Sequence, residues 1–225
     1  MGKRFLFVFG VVLLCLQFGP LAQADVVWDN GGPASLNPGG SNMTDTQQAE
    51  DFILGGATSI TGMTFWNMQL LAGDYLGSIS YSVVADNGGA PGAVTLASGT
   101  ATPNRQQVGT FGDQGGDTYQ IFQNDFAVNI NLALGGQYWL VLHDGPITSS
   151  ATSDFYWSWA DPNATNGPTY AGSEFYLAGN QWTTNDAEHA FQLTNAVSTP
   201  EPATLILFGS GLLGLLAPAR RKFRL

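Results

Sequence analysis

A chain of 225 residues with 44% apolar and 12% aromatic side chains can bury a core, which argues against disorder as the overall state. Twenty-nine glycines and 11 prolines make it rich in turns, with no collagen-like period. Six of the seven cations sit at the two ends, and residues 25–199 hold sixteen carboxylates against the single cation Arg105, a field that repels phosphate backbones and argues against nucleic-acid binding.

At the N-terminus, Lys3 and Arg4 precede the apolar run Phe5 to Leu16, then Gly19-Pro20 and the small-residue site Ala22-Gln23-Ala24. That order is a secretory signal peptide, residues 1–24, with signal-peptidase cleavage after Ala24 and export through the general secretion machinery as the expectation. The run is shorter than the ~20 residues of a membrane span. The one cysteine, Cys15, falls inside this segment, with Leu13-Leu14 before it where a lipoprotein signal wants a small residue. The expected mature chain therefore has no thiol for disulfides, nucleophilic catalysis or zinc.

Residues 25–194 show short β-branched and apolar runs separated by Gly, Asn, Asp and Pro clusters, with little helical periodicity. The runs predict strands at 49–54, 59–67, 78–85, 94–100, 118–123, 126–130, 137–143, 155–160, 174–177 and 190–194. Alternation over 59–66 sets Ile60, Gly62, Thr64 and Trp66 on one face and Thr61, Met63 and Phe65 on the other. Turn chemistry is explicit at Asp86-Asn87-Gly88-Gly89, at Gly112–Gly116 and at Asn166-Gly167-Pro168, where Asn and Gly tolerate positive φ. Ten or so such strands predict an all-β fold, an antiparallel, jelly-roll-like β-sandwich, with a signal helix before it and a C-terminal transmembrane helix after it.

The chain then passes through a linker, 195–199, to Pro200-Glu201-Pro202, the apolar run 203–219 and the basic tail Arg220-Arg221-Lys222-Phe223-Arg224. Seventeen apolar residues at 1.5 Å each reach about 25 Å, a short span of a ~30 Å hydrocarbon layer. Arg220, Arg221, Lys222 and Arg224 hold that end in the cytoplasm, so the preceding residues face outward. The prolines keep the backbone before the helix extended, a shape a protease can grip.

Pro-Glu-Pro, a short hydrophobic helix and an Arg-rich end in this order resemble the PEP-CTERM sorting signal, over residues 200–225. The resemblance implies an exosortase, a membrane-embedded cysteine protease-transpeptidase, as partner, with Pro200, Glu201 and Pro202 carrying recognition. It further implies a transient stay in the inner membrane, then delivery to the cell surface or extracellular matrix, often beside exopolysaccharide loci. Thr199 departs from the usual Val, and Pro218 interrupts the last helical turn. The tail also goes by the label of an ice-binding protein C-terminal domain, which describes a segment and not an activity. Ser80-Tyr81-Ser82-Val83, Gly89-Ala90-Pro91-Gly92, Gly136–Leu142, Trp182 and Glu188–Leu193 resemble the ectodomains of choice-of-anchor surface proteins, which bears on fold more than on function.

Candidate acids and bases are Glu50-Asp51, Glu174, Asp186, Glu188-His189 and His143-Asp144; a glycan hydrolase would need two of these carboxylates about 5–9 Å apart. Each histidine borders an apolar strand, as rim residues commonly do. No Gly-x-Ser-x-Gly elbow, HExxH, P-loop or dinucleotide fingerprint occurs. The expectation is a protein that is not an enzyme and needs no cofactor, with a structural calcium at loop carboxylates Asp86, Asp113, Asp117 and Asp161 as the metal candidate. Phe155, Trp157 and Trp159 share one face of a strand: exposed, that face stacks sugar rings; buried, it fills the core. Trp182, among Gly179-Asn180-Gln181 and Thr183-Thr184, is the better-placed exposed ring. Only Thr44-x-Thr46 and Thr100-x-Thr102 repeat the Thr-x-Thr pattern, too few for an ice-binding ladder. The reading is an exported, structural or adhesive surface protein associated with exopolysaccharide, with a secreted glycan hydrolase as alternative and ice binding behind both.

Overall fold

The β-branched and aromatic runs do pair as strands, in two antiparallel sheets. A computed structural model describes residues 24–35, 39–149, 151–161, 173–176 and 181–195. The expected signal helix, the 203–219 helix, the Pro-Glu-Pro motif, the basic tail and the Asn166-Gly167-Pro168 turn lie outside these residues. Among the described residues no helix is long and apolar enough to cross a membrane.

In chain order the strands are β1 (Asp25–Asp29), β2 (Gly40–Asn42), β3 (Thr46–Leu54), β4 (Thr58–Gln69), β5 (Ile79–Asp86), β6 (Pro91–Ala101), β7 (Asn104–Gly112), β8 (Thr118–Leu132), β9 (Gly136–Asp144), β10 (Phe155–Ser158), β11 (Ser173–Tyr176), β12 (Gln181–Thr184) and β13 (Phe191–Asn195). One sheet runs β12-β11-β3-β9-β5-β6. The other is organised on β4: β8 lines one edge from Thr58 to Gln69, with β7 outside it. On the opposite edge β13 takes Gly62–Phe65 and β10 takes Asn67–Gln69, and β1 and β2 flank these in turn.

The two sheets bury their facing sides in one apolar core. Phe52, Leu54, Leu140, Leu142 and Val83 come from the first sheet; Phe65, Phe126, Trp157, Phe191 and Leu193 come from the second. Phe52 meets Phe191 across the gap edge to face, with centroids 6.5 Å apart. Each such ring or branched side chain contributes about 1.5–3 kcal/mol on burial. A smaller apolar cluster, Ala49, Val84, Trp139 and Val141, lies on the outer side of the first sheet.

Three differences from the predicted strands have local causes. The 118–123 and 126–130 runs are one strand, because Asn124 turns inward and bonds its amide to Phe65 O and Asn67 Oδ1 rather than breaking the ladder. β7 was not predicted: Asn-Arg-Gln-Gln-Val-Gly has no apolar run, and its strand state comes from pairing with β8. The simple alternation over 59–66 is interrupted by a bulge between Ile60 and Gly62, which turns Ile60 into the core beside Met63 and Phe65 while Thr64 and Trp66 face out.

Candidate functional site

His189 stands just before β13, and Glu50 lies on the inner face of β3; the fold brings them together although 139 residues separate them. The ring Nδ1 is 2.7 Å from Glu50 Oε2, which also accepts the His189 backbone N–H at 2.8 Å. On the far side of the ring, Nε2 is 2.9 Å from Ser41 Oγ on β2. Trp157 lies over the imidazole at 4.7 Å between centroids. Ser41 Oγ also receives longer bonds from Trp159 Nε1 and Asn185 Nδ2, each 3.4 Å.

In order, Ser41, His189 and Glu50 form the serine–histidine–acid line of an acyl-transfer site. Their electrostatics run the other way. Both His189 and Glu50 are fully buried, and burial lowers the imidazole to about 3 while holding the Glu50 carboxyl well above its ordinary range, helped by the neighbouring Glu188 charge. Glu50 Oε1 is buried without a hydrogen-bond partner, which further disfavours the ionised form. Burial thus works against an ion pair at this contact, since it disfavours the charged form of both partners. A general base of this kind relies on an ionised acid behind Nδ1 to stabilise the imidazolium, and burial opposes both charges. Glu188 beside the pair is itself raised to about 7, first by burial and then by Asp51.

At a different part of the core lies Arg105 on β7, half-buried. Its Nε donates to Asn124 Oδ1 at 3.0 Å, and its Nη2 donates to Asn67 Oδ1 at 3.3 Å and to Gln69 Oε1. The guanidinium sits 4.2 Å from the Tyr75 ring centroid and 4.4 Å from that of Phe122. Amide dipoles and ring faces hold this charge in place of a carboxylate. Asp144 interacts with it electrostatically, yet is raised to about 7 by burial, with the Leu76 N–H working against the rise.

The aromatic candidates separate. Trp157 is 0% exposed, packs against Phe65 and Phe191 and donates Nε1–H to Ala190 O, so it is core and cannot stack on a sugar. Trp159 is half-buried, with its ring against Gly39, where a Cβ would collide with it. Trp182 is half-buried, 5.2 Å from Phe175 and packed on the outer apolar cluster.

Among the calcium candidates, Asp86 spends both oxygens on Gly88 N–H, Gly89 N–H and Trp139 Nε1–H, capping a turn in which Gly88 and Gly89 have φ of 70° and 92°. Asp113 Oδ1 accepts the Asp117 N–H and closes the β7–β8 turn. Asp161 lies just past β10, its N–H bonded to Gly32 O. No group of three or more His, Cys, Asp or Glu side chains among the described residues is arranged for a metal. Of the other acids and bases, Asp51 accepts from Gln137 Nε2 at 2.6 Å, His143 Nδ1 faces Gly145 O, Asp186 is exposed in a turn, and Glu174 is described only through its backbone pairing with Gln48 and Thr183. Ala24 is exposed; Ala22 lies outside the described residues. No local pattern marks Ser41, because its partners are remote in the chain, and Arg105 stands out in the sequence only by its isolation among carboxylates.

Residues 198–222 match the PEP-CTERM protein-sorting motif. No curated protein matches the chain. The motif marks an exported protein processed by exosortase and sorted to the cell surface.

Proposed function

We propose that this exosortase substrate works at the cell surface or in the extracellular matrix as a structural or adhesive module associated with exopolysaccharide, and that it is not an enzyme. The sorting motif at 198–222 carries the reading. Support also comes from the core, where Glu50 and His189 are fully buried, burial disfavours their charged forms, and their contact ties β3 to the start of β13. The route is export through the secretion machinery, signal-peptidase cleavage after Ala24, a pause in the inner membrane held by 203–219 and the basic tail, then exosortase action at Pro200-Glu201-Pro202. Any structural calcium would add to the turns and not to chemistry.

Replacing Glu201 with Ala tests the route: full-length protein should accumulate in the inner membrane, and an intact mass with unchanged C-terminal trimming would refute it. For the adhesive role, tryptophan fluorescence of the full chain should be quenched saturably by exopolysaccharide of the producing cell; no response, with or without calcium, would remove the adhesive half of the proposal.

A second reading, a secreted hydrolase, is favoured by the Ser41–His189–Glu50 alignment alone. An alkyl fluorophosphonate would then label Ser41, and labelling would vanish in Ser41→Ala while the fold persisted. Absence of labelling of the folded wild type retires that reading.

A further inference from the structure

The outer face of the β4-centred sheet carries a row of rings that the core does not use. Along β8, Asn124, Phe126, Val128, Ile130 and Leu132 point inward, so Tyr119, Ile121, Gln123 and Asp125 point out. Across the sheet, Tyr119 pairs with Phe111 and Ile121 with Met68, and Met68 pairs with Tyr156. Phe111 and Tyr119 stack at 6.4 Å, and Tyr119 meets Tyr156 edge to face at 6.0 Å. Trp66 stands on the same face of β4, paired with Gln123. All four rings are half-buried, standing beside a floor of Met68 and Ile121.

Polar groups are arranged along this face. Tyr156 Oη donates to Asp154 Oδ1 at 2.8 Å. Further along the face, Asp125 accepts from Thr64 Oγ1 at 2.7 Å and from Gln123 Nε2 at 3.0 and 3.1 Å. Asp113, Asp117 and Asp154 all act electrostatically on the Tyr119 hydroxyl. No Lys or Arg lies on β4, β8 or β10, and the single Arg of β7 turns inward to Asn67, Gln69 and Asn124.

We infer that this face, built on Trp66, Phe111, Tyr119 and Tyr156, binds an uncharged polysaccharide. Ring faces supply apolar contact to the C–H side of a pyranose, while carboxylates and amides at the margins bond hydroxyls. The same carboxylates, with no cation beside them, repel a polyuronate or a sulfated glycan. The inference rests on the matrix-binding reading above and supplies its face and ligand class.

The test is affinity electrophoresis of the full chain in mild detergent through gels containing a neutral β-glucan, a neutral galactomannan or polygalacturonate. At least one neutral polymer should retard the protein, and polygalacturonate should not, even at low salt. Tyr119→Ala and Tyr156→Ala should each weaken retardation by about tenfold, equivalent to roughly 1.4 kcal/mol. Tyr119→Phe should keep it, which separates stacking from loss of fold. Retardation lost in Trp159→Ala or Trp182→Ala but unchanged in both tyrosine variants overturns the face assignment and leaves the matrix reading standing. Equal binding to polygalacturonate overturns the ligand class, and no retardation by either neutral polymer overturns the inference.

Discussion

Two buried polar clusters in one sandwich handle charge in opposite ways. Around His189, an acid and a base lie 2.7 Å apart, and full burial disfavours the charged form of each. Around Arg105, three side-chain amides and two close rings surround a charge that never leaves, since a guanidinium does not deprotonate in a protein. A sandwich core thus tolerates titratable groups either by burial that disfavours their charged form or by lining a permanent charge with dipoles. Which route is taken depends on whether the group can give up its charge.

The sharpest way to break the contrast is His189→Ala, which deletes the ring under Trp157 and leaves Glu50 and Ser41 without it. Thermal unfolding should show a loss of about 3–5 kcal/mol, cavity and lost bonds together. A loss below ~1 kcal/mol would mean that the cluster is not holding β3 to β13. Next is Arg105→Met, which keeps the aliphatic stem and leaves the oxygens of Asn67, Gln69 and Asn124 without their charged donor. Here about 2–3 kcal/mol should be lost, and an unchanged denaturant midpoint would contradict the dipole-lined charge.

The smallest effect is on pH dependence, where the two kinds of group pull oppositely. Glu50, Glu188 and Asp144 bind their protons more tightly folded than unfolded, so the stability they contribute is complete below their ordinary values and is lost as pH rises, toward about 7 for Glu188 and Asp144. His189, lowered to about 3, contributes stability that is complete above its ordinary value of 6.5 and is lost as pH falls toward about 3. His143 is lowered by burial as well, and three carboxyls outweigh the two imidazoles between these limits. The unfolding temperature should therefore be highest near about pH 4.5 and lower at about pH 8, with Asp144→Asn flattening the decline. A maximum near about pH 8 would show that these carboxyls are ionised in the fold. Arg105→Met should leave the His189 side of the profile in place, which keeps the two clusters distinguishable.

Much of the strand inventory was legible, because the runs at 49–54, 137–143 and 190–194 carry apolar side chains that enter the core or the smaller cluster behind the first sheet. The short strands β1, β2 and β12 were not, nor were β7 and the middle of β8 at Asn124 and Asp125, whose strand state is imposed by a neighbour. Asn124 is held in a strand by bonds to Arg105, Asn67 and Phe65 that no local pattern announces. For the same reason Trp157 and Trp159, two residues apart, share a predicted face while one is sealed and the other is half-buried: Trp157 is the last inward residue of β10 before the strand leaves regular pairing.

From sequence alone come the export signals, the Pro-Glu-Pro tail, the all-β class and the acidity of the surface, since each rests on composition or on residues adjacent in the chain. Tertiary structure decided what those signals do not reach. It placed Ser41, Glu50 and His189 in one line, turned the single cation of residues 25–199 inward, and put Trp66, Phe111, Tyr119 and Tyr156 on one outer face. Each of these depends on sheet register, a long-range property set by packing across a core, where a shift of one residue would turn every side chain to the opposite face.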